Sequence, residues 1–561
     1  MKKSLRFVCL ALALALVMAF APAMAETEEP VVLDCFCMSG LSGVTTGIWD
    51  DWCSYKLLED LNIQINFWAP MDSSTQIASY IAGDALPDLV IFNNLTFAQQ
   101  AIDAGQLVNL LEYKDQVPSI FDEELFANAV KYFTNYNSDG TGNAMYLVPS
   151  QVGKSAFNSY NWAPQIMWGA YRDAGYPELN TLEDYLDAFV AMTEVKPVNE
   201  TGEKIYPIST QATAGYIYMW DYMYGYSVIN NCMEINCETN EIYKLLDEEN
   251  SFYKRSLKFM YELNQAGLVD PDCLTQSWND VNGKIADGRV MFVPYTWWTG
   301  GYNTSARAND AENPDGLFAV MAADMKIYDH PDNTTGRGAN FYAISTTSID
   351  NNRLDKALAL LNWLYDLDVH QYIQMGPEGL LWSMVDGEPV INEEYIDVVT
   401  GSEEVPLPGG GTLANARARF NTIGQTDGVI NPYTGQPIGY WHWHSYLNKD
   451  MTLVKQEVAE YYGTGTAVLA DYLIANDMVA SPSQAVNMMP AIPDDLTLSV
   501  NKIKETIDTM SWQAIMASDE DEFEAIWAKM VSDCDGMGYD EVAEWYTTQW
   551  DACVEIAKEY E

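Results

Sequence analysis

Within residues 79–92, SYIAGDALPDLVIF, the chain passes from helix to buried strand through a turn that admits few alternatives. Gly83 stops the helix, because glycine takes the left-handed conformation that closes a last turn without steric cost. Pro87 then holds Leu86 out of the helical region, so the chain enters Leu89-Val90-Ile91-Phe92 extended. An uninterrupted apolar run of this kind describes a strand covered on both faces. Such a strand needs packed layers on either side, which restricts the fold to layered α/β arrangements.

The alternation extends along the chain. Residues 31–38 read as a strand, 49–61 as an amphipathic helix, 63–68 as a strand, 73–82 as a helix and 88–92 as a strand. This βαβαβ run predicts a parallel sheet flanked by helices. A helix over 95–104 closes at Gly105. After Tyr146-Leu-Val-Pro149 a second region opens, with helices over 166–174, 182–195 and 252–265. Thr181 and Asp184 form a capping-box pattern for the second of these. The Asp287-Gly288 turn leads into a buried strand over 290–293. A strand over 341–344 and an amphipathic helix over 354–365 follow, and helices over 522–531 and 541–558 close the chain as a hairpin through 533–538. Pro/Gly-rich turns stand at 406–411 and 431–439. A length of 561 residues implies two or three domains.

The N-terminus reads as an export signal: Lys2, Lys3 and Arg6 precede an apolar stretch over 7–20 and the cleavage pattern Ala23-Met-Ala25. Cleavage after Ala25 is expected, with the mature protein in the periplasm, at the cell surface or outside the cell. Eighty acidic residues against 29 basic ones give a net charge of −51, and loss of the leader makes it more negative still. Such a field repels nucleic acid and anionic membranes and disfavours anionic ligands. Eight cysteines remain beyond the leader: Cys35, Cys37, Cys53, Cys232, Cys237, Cys273, Cys534 and Cys553. Disulfides are possible in an exported chain, Cys232–Cys237 and Cys534–Cys553 being nearest in sequence, and buried thiols are equally compatible. There is no C-x-x-C pattern of the kind that holds zinc.

The 79–92 segment resembles the signature of the family 1 extracellular solute-binding proteins, the receptor subunits of ABC importers. Further segments follow in that family's order. Tyr146-Leu-Val-Pro149 is similar to its strand crossing between lobes, and 180–189 (NTLEDYLDAF) to its helix-entry segment, without the family's Pro and Trp. GKIADGRVMFV (283–293), YAISTTSIDNNRLDKALALLNWLYD (342–366) and Gly376-Pro-Glu-Gly379 match later motifs. The resemblance implies an α/β periplasmic-binding-protein type 2 fold in a large, helix-rich version, with two interleaved lobes closing about a hinge. Lobe 1 is expected over 26–148 and 290–345, and lobe 2 over 149–289 and 346–561. The implied function is capture of a carbohydrate, an oligosaccharide in particular, by a monomer that delivers it to a membrane permease. A receptor for peptides or other solutes, a secreted glycoside hydrolase and a surface sensory co-receptor are the alternatives. The family's lipid-attachment cysteine has no counterpart, since Cys35 follows Leu33-Asp34.

No nucleophile elbow, Walker loop, H-E-x-x-H or dinucleotide fingerprint is present, so no catalytic residues and no cofactor are expected. His442 and His444, in Tyr440-Trp-His-Trp-His444, would share a face if extended, yet an aromatic segment packed over a loop describes them better than a metal pair. Asp533-x-Asp535-Gly lacks the bidentate Glu of a calcium loop and reads as a turn. The aromatic residues lead further: 17 Trp, 35 Tyr and 18 Phe, many at element ends. Sugar C–H faces stack on indole and phenol rings while hydroxyls need Asp, Asn or Gln partners. Open α/β sheets bind ligands beyond their strand C-termini. The candidate ligand-binding residues are therefore Trp68, Asp72, Asn93, Asn94, Trp220, Asp221, Tyr222, Trp297, Trp298, Trp382, Trp441 and Trp443, whereas Asp84 and Asp88 read as turn residues.

Overall fold

The computed structural model describes residues 29–38, 44–70, 72–154, 162–329, 334–336, 340–395, 428–449 and 451–560. The expected leader and the 406–411 turn lie outside them. In chain order the strands are β1 (Val31–Cys37), β2 (Gly47–Ile48), β3 (Ile63–Trp68), β4 (Leu89–Phe92), β5 (Val148–Pro149), β6 (Trp162–Met167), β7 (Tyr226–Ile229), β8 (Met233–Asn236), β9 (Ile242–Lys244), β10 (Phe292–Tyr295), β11 (Leu317–Ala319), β12 (Ile327–Tyr328) and β13 (Phe341–Ile344).

Two sheets organise two lobes. The first has the order β2-β3-β1-β4-β13-β5, and the second β10-β6-β11. In the first, β1 runs parallel to both β3 and β4, as the βαβαβ reading required, while β2 and β13 run antiparallel to their neighbours. Every residue of β4 is buried, which is why its sequence is apolar without alternation.

The 79–92 turn owes its shape to two acids. Asp84, not Gly83, takes the left-handed backbone (φ 50° against −93°), and its short polar side chain makes this tolerable. Gly83 is needed for space, since a Cβ there would lie 3.2 Å from the Ser79 carbonyl oxygen. Asp88 is buried. Its Oδ2 accepts from the Asp34 amide at 3.0 Å and from the Arg353 guanidinium at 2.8 Å, tying β1 and the start of helix Leu354–Tyr365 to the entrance of β4. The Asp88 carbonyl in turn accepts from the Ser345 amide at the end of β13.

The lobe boundaries fall elsewhere than expected. The segment expected to bring lobe 1 its strand over 290–293 instead forms β10, which pairs with β6, and β11 flanks the other side of β6. Helix Leu354–Tyr365 returns to the first lobe: Lys356 donates to the Leu61 carbonyl and the Trp363 indole to Asp60. An apolar strand fits either sheet, and only long-range pairing chooses. The expected helix over 166–174 is also shortened, because Ile166 and Met167 complete β6 before helix Trp168–Asp173 starts. At the next helix Asp184 accepts from the Thr181 amide, but the hydroxyl half of the capping box is not made.

The closing hairpin is longer than expected, Glu520–Asp535 and Tyr539–Ala557, with left-handed Gly538 at the join. All eight cysteines are buried and no disulfide links them. Among the described residues no helix is long and apolar enough to cross a membrane, and no group of three or more His, Cys, Asp or Glu is arranged to hold a metal ion.

Replacing Arg353 with Ala strands the Asp88 carboxylate in the first lobe. We expect a loss of about 3 kcal/mol in urea-unfolding free energy, partly restored by Arg353→Lys; an unchanged midpoint would show that Asp88 does not need its cation.

Candidate functional site

The register locates one edge in each sheet. In the first sheet Phe92 lies beside Phe341, and Phe341 beside Pro149. The chain leaves for the second lobe at Pro149 and comes back at Phe341, so the C-terminal ends of β1, β3 and β4 lie on the crossing side. In the second sheet Trp162, the residue at which β6 begins after the crossing, stands opposite Tyr295 at the end of β10. These two edges flank the connections between the lobes.

The first edge is polar with one exposed indole. Trp68 ends β3 with 46% of its surface exposed. The Met38 carbonyl at the end of β1 accepts from both the Asn93 amide group (3.2 Å) and the Ser73 hydroxyl (2.9 Å), which brings the two neighbouring loops together. Asp72 caps helix Ser73–Ala82 through the Thr75 amide, and Asn94 caps helix Leu95–Asp103 through the Thr96 amide at 2.7 Å. Capping occupies one of the two Asp72 carboxylate oxygens and the single side-chain oxygen of Asn94, whose NH2 group is the part not used by the cap. Asn93 itself is exposed on this edge.

The second edge is a row of rings. Trp162 stacks on Tyr222 at 4.0 Å with 15° between planes, and lies 4.4 Å from Tyr295. Tyr295 stacks on Trp297 at 4.3 Å and leans on Trp298 at 4.6 Å, and Trp298 meets Trp278 at 4.3 Å and Tyr216 at 5.5 Å. Trp297 is the exposed member, at 57%. Burial pushes the phenols of Tyr222 and Tyr295 well up and that of Tyr218 up to about 12, so all three stay protonated; Tyr222 donates to the Val228 carbonyl and Tyr218 to Asn231. Sequence reading named Tyr222, Trp297 and Trp298 in this row and missed Trp162, Tyr295, Trp278 and Tyr216. The end-of-strand position of Tyr295 was a usable signal; the approach of Tyr216 and Trp278 was not visible locally.

Several other candidates are taken up in packing. Trp220 is packed in the second lobe, one face stacked on Phe292 at 4.7 Å and its edge against Phe259, and Asp221 beside it is equally buried. Neither presents a surface to the edge. Trp382 and Trp443 pack edge to face at 5.5 Å, their indoles donating to the carbonyls of Gly376 and Pro437. Trp441 is half-buried against Tyr440. Trp382 also walls a cavity of about 350 Å³ with Asp368, Gln371, Tyr372, Gly376, Glu378, Asn431 and Tyr433. Its buried amides are hydrogen-bonded, Asn431 donating to Gln371 and Gln371 to the Ile438 carbonyl, and Glu378 accepts from the Tyr433 hydroxyl. His442 ends a single 3-10 turn and His444 begins the next helix, so the two do not share a strand face.

Solved structures with the same arrangement span the chain nearly end to end. An HMO-binding, ABC-transporter-associated solute-binding protein from Bifidobacterium longum infantis matches with a TM-score of 0.58 at 15% identity, over 93% of this chain and 99% of its own. The substrate-binding protein FusA of S. pneumoniae, in complex with kestose, matches at 0.59 and 14%, over 93% and 99%. The chain has the fold of the ABC-transporter solute-binding proteins. A third member of this fold, the N-glycan transport solute-binding protein NgtS of Streptococcus pneumoniae, gives 0.52 and 15%, over 94% and 99%. No family model matches the sequence, and no curated protein does.

The exposed and buried rings should separate cleanly by mutation. Trp220→Ala should cost about 3–5 kcal/mol of unfolding free energy, whereas Trp297→Ala should change it by less than about 0.5 kcal/mol. Comparable losses in urea titrations would mean that Trp297 also is a packing residue.

Proposed function

We propose that the protein is an exported receptor that captures a neutral oligosaccharide between its two lobes and hands it to an ABC permease. The observation that carries this reading is the row of rings on the crossing edge of the second lobe, running from Tyr222 through Trp162 and Tyr295 to Trp297 and Trp298. Its length suits a chain of sugar units more than a single ring. Opposite, Trp68, Asp72, Asn93 and Asn94 offer one further plane and the amide and carboxylate oxygens that hydroxyls require. The strongly negative charge and the lack of a basic residue among these groups argue against anionic ligands. The three solved structures named above are described by what they bind or transport: HMO, kestose and N-glycan.

Capture works through differential affinity. A ligand that touches both edges stabilises the closed arrangement over the open one, and only that difference drives closure. The permease would then read the closed form. The family resemblance supports the carbohydrate class, and the rings support stacking as the source of affinity.

Thermal-shift screening of neutral di- to hexasaccharides, followed by calorimetric titration of any hit, tests the reading. At least one oligosaccharide should raise the melting temperature, and Trp297→Ala should weaken its binding about tenfold, ~1.4 kcal/mol. A chain silent to every sugar but stabilised by peptides would overturn the assignment.

A further inference from the structure

Behind the ring row two carboxyl groups are buried together. Asp221 lies in the short helix Met219–Met223 and Glu234 on β8, and neither has any exposed surface. One oxygen of each is satisfied from helix Tyr253–Gln265 and its approach: Ser256 donates its hydroxyl to Asp221 Oδ1, and the Phe252 amide donates to Glu234 Oε2 at 2.7 Å. The other two oxygens, Asp221 Oδ2 and Glu234 Oε1, make no hydrogen bond, although the Ser251 hydroxyl lies near Glu234, and the two carboxyl side chains act on one another. Ionised carboxylates only accept hydrogen bonds, so two of them in contact repel.

The surroundings supply no compensating charge. The titratable groups that act on the pair or are acted on by it are Tyr253 on helix Tyr253–Gln265, Tyr226 on β7, Cys237 after β8 and Tyr218 ahead of helix Met219–Met223. Asp508, on helix Asp494–Ile515, acts in turn on Tyr218 and Tyr253, and Glu238 on Cys237 and Tyr226. All of these are neutral or acidic. Arg255, the residue before Ser256, directs its guanidinium to Glu183 and Asp324 instead.

We propose that Asp221 and Glu234 share a proton at neutral pH, and that this proton anchors helix Met219–Met223 to β8 and helix Tyr253–Gln265, making the seat of Tyr222 on Trp162 sensitive to pH. One carboxyl then donates across the contact and the other accepts, which satisfies both orphaned oxygens with a single bond. Tyr222 follows Asp221 directly, so the anchor acts on the ring row from behind without touching anything bound to it. Asp221 and Glu234 are positioning residues. Loss of the proton to solvent leaves two charges in contact inside the lobe, and the helix has to move to bring them water.

The direction of the pH effect follows. Desolvation and then the nearby Glu234 push the Asp221 carboxyl well up, and burial pushes Glu234 up to about 7. In the unfolded chain both lose their protons near the ordinary range of about 4. From there to beyond neutrality the folded chain therefore holds more protons than the unfolded one. This stability is fully present below the unfolded value and is lost as pH rises through the folded one, by about tenfold in the unfolding equilibrium per pH unit for each extra proton held.

Asp221→Asn is the test, because the amide donates permanently to Glu234 while its oxygen can still accept from Ser256. Hydrogen exchange of the full chain without sugar, corrected for the intrinsic pH dependence of exchange, should show residues 219–229 losing protection above about pH 7 in the native protein and keeping it in the variant. Urea unfolding should show the native chain weakening with pH more steeply than the variant, by about tenfold per unit. Glu234→Gln, which offers the donor from the other side, should flatten the profile in the same way and serves if Asp221→Asn does not fold. Parallel pH profiles in the native protein and the folded variant would overturn the proposal. It rests on the proposed function only for what the ring row is used for; with no sugar present, a failed sugar screen leaves this result untouched.

Discussion

The buried carboxylate of Asp88 is the contact on which the first lobe depends. It sits where the 79–92 turn delivers the chain into β4, and it joins three separate stretches: β1 through the Asp34 amide, the helix Leu354–Tyr365 through Arg353, and β13 through its own backbone. A charge taken out of water must be paired and hydrogen-bonded or it destabilises the structure. Asp88 meets that condition only when β1, β4 and a helix more than 250 residues later are all in place. The turn, the parallel order of β1 and β4 and the return of the chain to the first lobe therefore form or fail together.

From this contact the placement of the polar edge follows. With β4 fixed, its C-terminal end, Phe92, lies in register with Phe341 and Pro149, the points where the chain enters and leaves the lobe. Loops that follow parallel strands gather at the same end, so Trp68, Asp72, Asn93 and Asn94 are delivered to the crossing side by topology alone. In the second lobe the antiparallel pairing of β6 with β10 does the equivalent work, setting Trp162 against Tyr295 so that the rings beyond them stack in a row. The two lobes thus present different chemistry to the space between them. One offers mainly short polar side chains held by helix caps; the other offers aromatic planes. The aromatic side is also the side beneath which two acids, Asp221 and Glu234, are buried together without a cation, whereas the buried Asp88 of the first lobe has Arg353.

How much of this was legible depended on the range of the interaction involved. The strands β1, β3, β4 and β13 could be read from runs of apolar residues, and helix Leu354–Tyr365 from its period. Trp68 and Asn93 could be assigned to the edge because a strand end is a local fact. Trp220 and Trp297 could not be told apart: each is a Trp in a polar and aromatic context, and only packing covers the first with Phe292 and Phe259 while leaving the second open. The strand over 290–293 was correctly seen as buried and assigned to the wrong lobe, because an apolar run carries no label for its neighbour. Asp221 was singled out for its Trp-Asp-Tyr setting; that its partner would be another acid, Glu234, needed the return of the chain through β8.

The sequence by itself determined the α/β class, the family resemblance, the strongly acidic charge and the positions where strands end in aromatic or amide residues. These rest on composition, period and turn chemistry, which act within a few residues. Tertiary structure alone decided which lobe received β10 and the helix Leu354–Tyr365, which rings form a continuous row and which lie in the core, and that two acids meet beneath that row. Those outcomes depend on contacts between residues far apart in the chain, and a hydrophobic or acidic side chain looks the same in the sequence whether its partner is water, a ring or another charge.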